Sequence, residues 1–451
     1  MNRILFRTAL FLGVLLAAPS APAAPVLLAD STTADRWTLP NGLEVVTRDL
    51  PGAQAISVTW GYRIGLDNDP PDQPGLASLL AEVGFTAPAG DTPERTRDEM
   101  ESLRPRGWSL RVNRRHTLFT ETATPEQFAG VLRQLAVRMR GVTVTDSGLR
   151  GSLATVRRTL GERYFGAADQ MLYWRVREYA RGRGPNDILA LAAAKGLDRE
   201  TPGSVQQTIA RAYVPANGVL ALAGDLSRLD LHAIVAAEFG ALPPGTRLPD
   251  PPVIRLDSAT VVLERPEVTD PAGVVGLIAP ALTDSMHPSF FLSMLMMGTH
   301  AKFTWGLPTP PLTTRFQFSL LDDPEFVRFY PRLTRQEVAH PQSLSTVFGV
   351  AVSDLLRVMI ARKTYDTYRD NVLWMVGGPL SEAFAEEVRR DPAALNVLST
   401  SIAMQALWGS EAFWTEYRRR FDFGVSPGVE FWTDWMSDPR HQVRLLLLPK
   451  R

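Results

Sequence analysis

The residues best placed to do chemistry lie in the segment Gly75-Leu-Ala-Ser-Leu-Leu-Ala-Glu-Val-Gly-Phe85. As a helix, this segment puts Ser78, Ala81 and Glu82 at i, i+3 and i+4 on one face. Imidazoles at i and i+4 would bind zinc there, and a carboxylate at i+3 would activate the metal-bound water. The residue types present differ. A serine hydroxyl is a poor zinc ligand, Ala81 can take no proton, and only Glu82 keeps a metal-binding group. The six histidines, His116, His232, His287, His300, His340 and His441, include no two within three to five residues of each other, so no local ligand pair exists. His116 falls in an expected strand and reads as a partly buried structural residue.

Other reactive arrangements are as thin. A Ser-His-Asp triad needs no sequence adjacency and stays open, but no Gly-x-Ser-x-Gly elbow anchors one. Arg181-Gly182-Arg183-Gly184 lacks the preceding strand and the Lys-Ser/Thr of a phosphate loop, and it reads as an exposed turn. The aromatic cluster Trp408, Phe413, Trp414, Phe431, Trp432 and Trp435 reads as core or interface filling.

Composition bounds the class. The chain has 451 residues, 45% hydrophobic and 21% charged, which is the balance of a globular protein of more than one domain. The formal net charge is zero with Lys and Arg dispersed, so no nucleic-acid stripe is expected. Arg3 and Arg7, the apolar stretch Thr8 to Ala18 and the small residues Ala21-Pro22-Ala23 read as a signal peptide over residues 1–23. No later stretch is apolar enough to span a membrane. With no cysteine there are no disulfides, acyl anchors or thiolate sites. The expected location is periplasmic or secreted.

The elements that must hold these residues fall into two halves, 24–241 and 253–451, around the proline-rich linker 242–252. Trp37 to Val46 reads as two short strands about Asn41-Gly42. A strand over Ala55 to Tyr62, a helix over Leu76 to Val83 and a helix near Arg95 to Leu103 follow. Then come a hairpin over Trp108 to Thr122, helices near Pro125 to Met139 and Asp146 to Glu162, and a buried strand at Leu220 to Asp225. In the second half, Thr260 to Pro266 and Ala272 to Ala279 read as paired strands, and Pro288 to Met297 as an apolar helix. A helical stretch near Ser343 to Lys363 and a closing strand at Val443 to Leu448 follow. This is an α+β pattern of two similar repeats, each a largely antiparallel sheet covered by helices.

Taken together, these motifs resemble the pitrilysin/insulinase type of zinc metallopeptidase. Gly75, Ala77 and Phe85 match that family's active-site helix, whose pattern is Gly-x-Ala-His-x-x-Glu-His-x-x-Phe. Leu39-Pro-Asn-Gly-Leu-Glu-Val45 is similar to its opening hairpin, and Gly61 through Pro74-Gly75 to the loop feeding the helix. Tyr213-Val-Pro-Ala-Asn217 followed by Val219 to Asp225 is similar to its Tyr-x-Pro-x-Asn signature. On that alignment Ser78 and Glu82 stand at the two His positions and Ala81 at the Glu position. The third ligand would fall in Val156-Arg157-Arg158-Thr159-Leu160, with Glu162 close by. A solvent-facing charge fits Glu162 better than a ligand, and Glu82 with Glu162 alone would make a weak zinc site. Arg315 has no Tyr at the family's spacing, with Arg328 and Tyr330 as the nearest substitute.

The resemblance implies a non-catalytic member without zinc, an inactive partner of a homologous catalytic zinc peptidase subunit, helping to enclose peptide. No catalytic, metal or substrate-binding residue is assigned. Two alternatives remain open: an active metallopeptidase with relocated ligands Glu82 and Glu162, and a stand-alone periplasmic peptide-binding protein.

Overall fold

A computed structural model describes residues 35–103, 107–266, 268–294, 315–317, 320–330, 369, 373–423 and 428–450. The expected signal peptide, the helical stretch near 343–363, His300 and His340 lie outside the described residues.

Two sheets organise the chain. The first contains β1 (Asp35–Thr38), β2 (Glu44–Asp49), β3 (Ile56–Tyr62), β4 (Trp108–Val112), β5 (Thr117–Ala123) and β6 (Gly218–Gly224), in the order β1-β2-β6-β3-β5-β4. The second contains β7 (Ala259–Arg265), β8 (Ala272–Ile278), β9 (Arg315–Gln317), β10 (Phe326–Tyr330) and β11 (Gln442–Pro449), in the order β7-β11-β8-β10-β9. In each sheet the last strand inserts parallel to one neighbour, β6 to β2 and β11 to β7, and every other pairing is antiparallel. Without β1, the two sheets share strand order and strand sense, as a duplication requires. One expectation fails here. β7 and β8 are not paired, because β11, some 160 residues later in the chain, lies between them. Residues 243–258 between the sheets carry neither helix nor strand.

The helices are α1 (Leu76–Thr86), α2 (Arg97–Leu103), α3 (Pro125–Arg140), α4 (Asp146–Phe165), α5 (Ala168–Ala180), α6 (Pro185–Ala193), α7 (Pro202–Ala212), α8 (Leu231–Phe239), α9 (Glu382–Arg390), α10 (Pro392–Trp408), α11 (Glu411–Phe423) and α12 (Gly428–Ser437), with a further helix over 287–294. Local chemistry sets several starts: Thr145, Thr201, Ser381 and Asp391 accept backbone N–H groups at the N-termini of α4, α7, α9 and α10, and proline occupies the first turn of α3, α6, α7 and α10.

Two helices cross between the repeats. α5, from the first half, packs on β8 and β11 of the second sheet, while α10, from the second half, packs on β2, β3, β5 and β6 of the first. Each begins 50 residues before the last strand of its own half, 168 to 218 and 392 to 442. With helices on both faces, β3, β5 and β6 are buried along their whole length, and α10 is buried nearly all round. Ser57, Thr59, Thr120 and Thr122 on the sheet meet Asn396, Ser399 and Thr400 on α10 in a buried hydroxyl seam. It includes Ser57 Oγ to Asn396 Oδ1 at 2.6 Å, Thr59 to Ser399 at 2.8 Å and Thr120 to Thr400 at 3.1 Å. Pairing satisfies these groups inside a dry interface.

The aromatic cluster near the C-terminus is core: Trp414 and Trp432 are buried, Trp408, Phe413 and Trp435 pack against the same cluster, and Phe431 is exposed.

At both crossings a glycine stands on the sheet. Gly61 of β3 pairs with Val219 and Gly276 of β8 with Val443, in each case the second residue of the inserted strand. A Cβ on Gly61 would stand 2.7 Å from Leu407 of α10, and one on Gly276 would meet Phe326 at 2.3 Å and Val176 of α5 at 3.0 Å. Gly61→Val and Gly276→Val should each lower stability by about 1–3 kcal/mol through overpacking. Urea unfolding is the check, and an unchanged midpoint in either variant would contradict the close approach.

Candidate functional site

α1 is clamped at both ends. Gly75, its N-cap, has φ +94°, a left-handed conformation natural to glycine, and supplies no side-chain cap. Asp69, six residues before that N-cap, does the capping from a distance: Oδ2 accepts from Gly75 N and Oδ1 from Ala77 N, both at 2.7 Å. Burial pushes the Asp69 carboxyl up to about 7, against the pull of those two N–H groups. At the other end Arg138 donates to the carbonyls of Gly84 (3.1 Å) and Ala87 (2.8 Å), and Arg95 Nε to that of Phe85 (2.7 Å). One long face of α1 rests on α4, where Val156 and Leu160 approach Gly75. Tyr213 of the Tyr-x-Pro-x-Asn segment stacks on Tyr62 of β3, rings 4.4 Å apart, and Asn217 is buried with its amide donating to Ala212 O.

The motif positions on this helix have definite environments. Ala81 is fully buried. Ser78 Oγ is buried without a hydrogen-bond partner. Glu82 is 5% exposed, and its carboxylate is gripped by Arg97 of α2: Nε lies 3.2 Å from both oxygens and Nη2 2.5 Å from Oε2. This fork-to-fork pairing is the strong form of the interaction. Glu162 stands on the exposed side of α4 in an ion pair with Arg158 at 3.3 Å, among solvent-facing charges. Arg157 is likewise exposed and pairs with Asp198. Among the described residues, no group of three or more His, Cys, Asp or Glu could hold a metal.

Arg328 and Tyr330 sit in β10 and are buried. Arg328 pairs with Asp323 at 3.2 Å and donates to Tyr173 O at 2.9 Å. Arg328 belongs to a buried ionic network that runs from the loop before α1 into the second half. Arg114 joins Glu178 (2.9 Å) and Asp67 (3.8 Å), Arg181 joins Asp67 (3.1 Å), and Arg177 joins Asp323 (2.9 Å). Burial works against ionisation of Glu178, but Arg114, Arg181 and Arg183 hold it down to about 2. A cavity of about 20 Å³ beside Asp69, Arg114, Glu178 and Arg181 has room for a water, not for a peptide side chain. Sequence reasoning missed Asp69, Arg97 and this network. Their one sequence trace was position, Asp69 in the loop before the helix and Arg97 among alternating charges.

Two of the described histidines, His116 and His287, are buried. His116, in the turn before β5, is buried edge-on to Trp408. His287 is buried with Nε2 2.8 Å from Pro324 O and Nδ1 2.7 Å from Tyr417 Oη. A carbonyl only accepts, so Nε2 carries the proton and Nδ1 accepts from the tyrosine.

The overall architecture is that of M16-like and insulinase-family peptidase structures. A protease from Helicobacter pylori superposes with TM-score 0.71 at 15% identity, over 95% of this chain and 100% of that one. A peptidase M16 inactive domain from Pseudomonas fluorescens gives 0.66 at 16% identity, over 93% and 98%. The periplasmic protease PqqL from Escherichia coli gives 0.63 at 13% identity, over 95% of this chain but 48% of its own, so the chain spans about half of PqqL. No family model and no curated protein sequence matches the chain. Among the described residues no helix is long and apolar enough to cross a membrane.

Two outcomes follow from the site. Arg97→Ala leaves the Glu82 carboxylate buried and unpaired. It should cost roughly 1–3 kcal/mol, the range for stranding a buried polar partner, with Arg97 itself 41% exposed. Glu82→Gln in the Arg97→Ala background should recover part of that loss, and no recovery would contradict the pairing. Burial also lowers the pKa of His287 to about 4 and that of His116 to about 3. Both are therefore neutral in the fold and protonate near 6.5 when unfolded, so their contribution is present above about 6.5 and is lost as pH falls toward 4. Asp69 acts in the opposite sense, its raised pKa favouring the fold as pH falls from 7. The histidine effect is thus read by difference: between pH 7 and 5, His287→Asn should lose about 2 kcal/mol less stability than the parent. Equal losses would contradict a buried neutral His287.

Proposed function

We propose that this chain is a non-catalytic insulinase-like protein that binds and helps to enclose peptide as the inactive partner of a homologous zinc peptidase subunit. The observation that carries the reading is the Glu82–Arg97 pair. At the helix position where active relatives present a metal ligand, the carboxylate already has a guanidinium as its counter-charge. Ser78 and Ala81 offer neither imidazole nor general base. Zinc chemistry would require breaking that pair and finding further ligands. The relocated-ligand alternative gains nothing from Glu162, which faces solvent beside Arg158.

Binding without cleavage needs only walls and an edge. β4 lies at the edge of the first sheet, packed beside α1, with Trp108 stacked on Phe85 at 5.2 Å. An extended peptide can add to such a strand through main-chain hydrogen bonds. The half-length relation to PqqL suits a chain that works with a second, similar one. Export to the periplasm belongs to the same proposal.

The test uses the mature chain alone with a mixture of fluorescence-quenched peptides. Turnover should stay at the buffer background with or without a zinc chelator, while labelled extended peptides raise fluorescence anisotropy on titration. Chelator-sensitive hydrolysis would overturn the non-catalytic reading, and no binding to any peptide would overturn the enclosing role.

A further inference from the structure

Arg48 is a cation enclosed in the core. It projects from β2 on the face it shares with Val46 and Leu50, toward the helices of the second half, and its relative exposure is 0%. Nη1 and Nη2 both donate, at 3.3 Å, to a single acceptor, Gly378 O, and Nε is buried without a partner. Among the described residues no Asp or Glu pairs with it. Arg418 reaches the same turn, donating to Val376 O at 2.8 Å, and adds a second positive charge. Trp374, which opens that turn, is 4% exposed and its indole N–H also lacks a partner. Two guanidinium groups thus donate to carbonyls of one turn, and a single backbone carbonyl answers Arg48.

Burial first, and then repulsion from Arg418, push the Arg48 pKa down to about 10. A guanidinium nevertheless stays protonated at neutral pH. An isolated buried charge is strongly unfavourable unless an opposite charge accompanies it.

We propose that Arg48, with Arg418 and the turn 374–378, holds one small monovalent anion of the chloride class between the two repeats. The anion would accept from Arg48 Nε, and it would tie β2 of the first sheet to the turn of the second half. This inference is independent of whether the chain binds peptide.

The experiment is urea unfolding of the mature protein across a chloride series, with gluconate replacing chloride at constant ionic strength. One bound anion raises the folded-to-unfolded ratio about tenfold for each tenfold rise in chloride above its dissociation constant. Arg48→Met, of similar length and uncharged, should abolish the dependence. Equal stability in chloride and gluconate, or an undiminished dependence in Arg48→Met, would overturn the proposal. Should that variant fail to fold, a bromide-soaked crystal of the parent protein decides: an anomalous peak beside Arg48 supports the site, and bromide bound only elsewhere overturns it.

Discussion

The reciprocal crossing of α5 and α10 is the constraint on which the rest of the structure depends. Among the described residues, each sheet has a face on which a helix from the other repeat packs. A sheet with an open apolar face is not stable alone, so each repeat completes the other. Gly61 and Gly276 mark these crossings in the sequence, because a Cβ there would press on Leu407 of α10, or on Phe326 of β10 and Val176 of α5, and those side chains would have to shift. The crossing also explains the polar character of the interior. A hydroxyl seam holds α10, and an ionic network flanks α5, so both helices are fixed in register by groups that tolerate few other arrangements.

This frame holds α1 where a catalytic helix would be. Asp69 at one end and Arg138 with Arg95 at the other oppose the helix dipole with the right signs. Anchoring at both ends does not depend on a metal, so on the proposed reading the helix can keep its placement with Ser78 and Glu82 at the two ligand positions and Ala81 at the position of the base. At the centre Arg97 supplies, as a fixed positive charge, the neutralisation that a cation would otherwise give Glu82. We take this substitution of a guanidinium for a metal as the physical content of the non-catalytic reading.

Much of the fold was legible in the sequence because its signals are local. The Asn41-Gly42 turn, the helix from Leu76, the Trp108 to Thr122 hairpin and the strand ending at Gly224 all read from short-range pattern. What failed was non-local. Thr260 to Pro266 and Ala272 to Ala279 are neighbours in sequence, and no periodicity shows that β11 enters between them. The site was legible only as a set of replaced residue types. The identity of the partner of Glu82 was hidden, since Arg97 lies on another helix and an arginine in a charged run looks like any solvated one. Asp69 was hidden for a similar reason: its role depends on a loop folding back onto the helix N-terminus.

The most direct test of the account is the zinc content of the folded mature chain, purified without chelator or histidine tag and measured by elemental analysis. Near zero zinc per chain is the result expected if the Glu82–Arg97 pair stands in place of a metal site. Close to one zinc per chain would contradict that claim and require ligands outside the positions described.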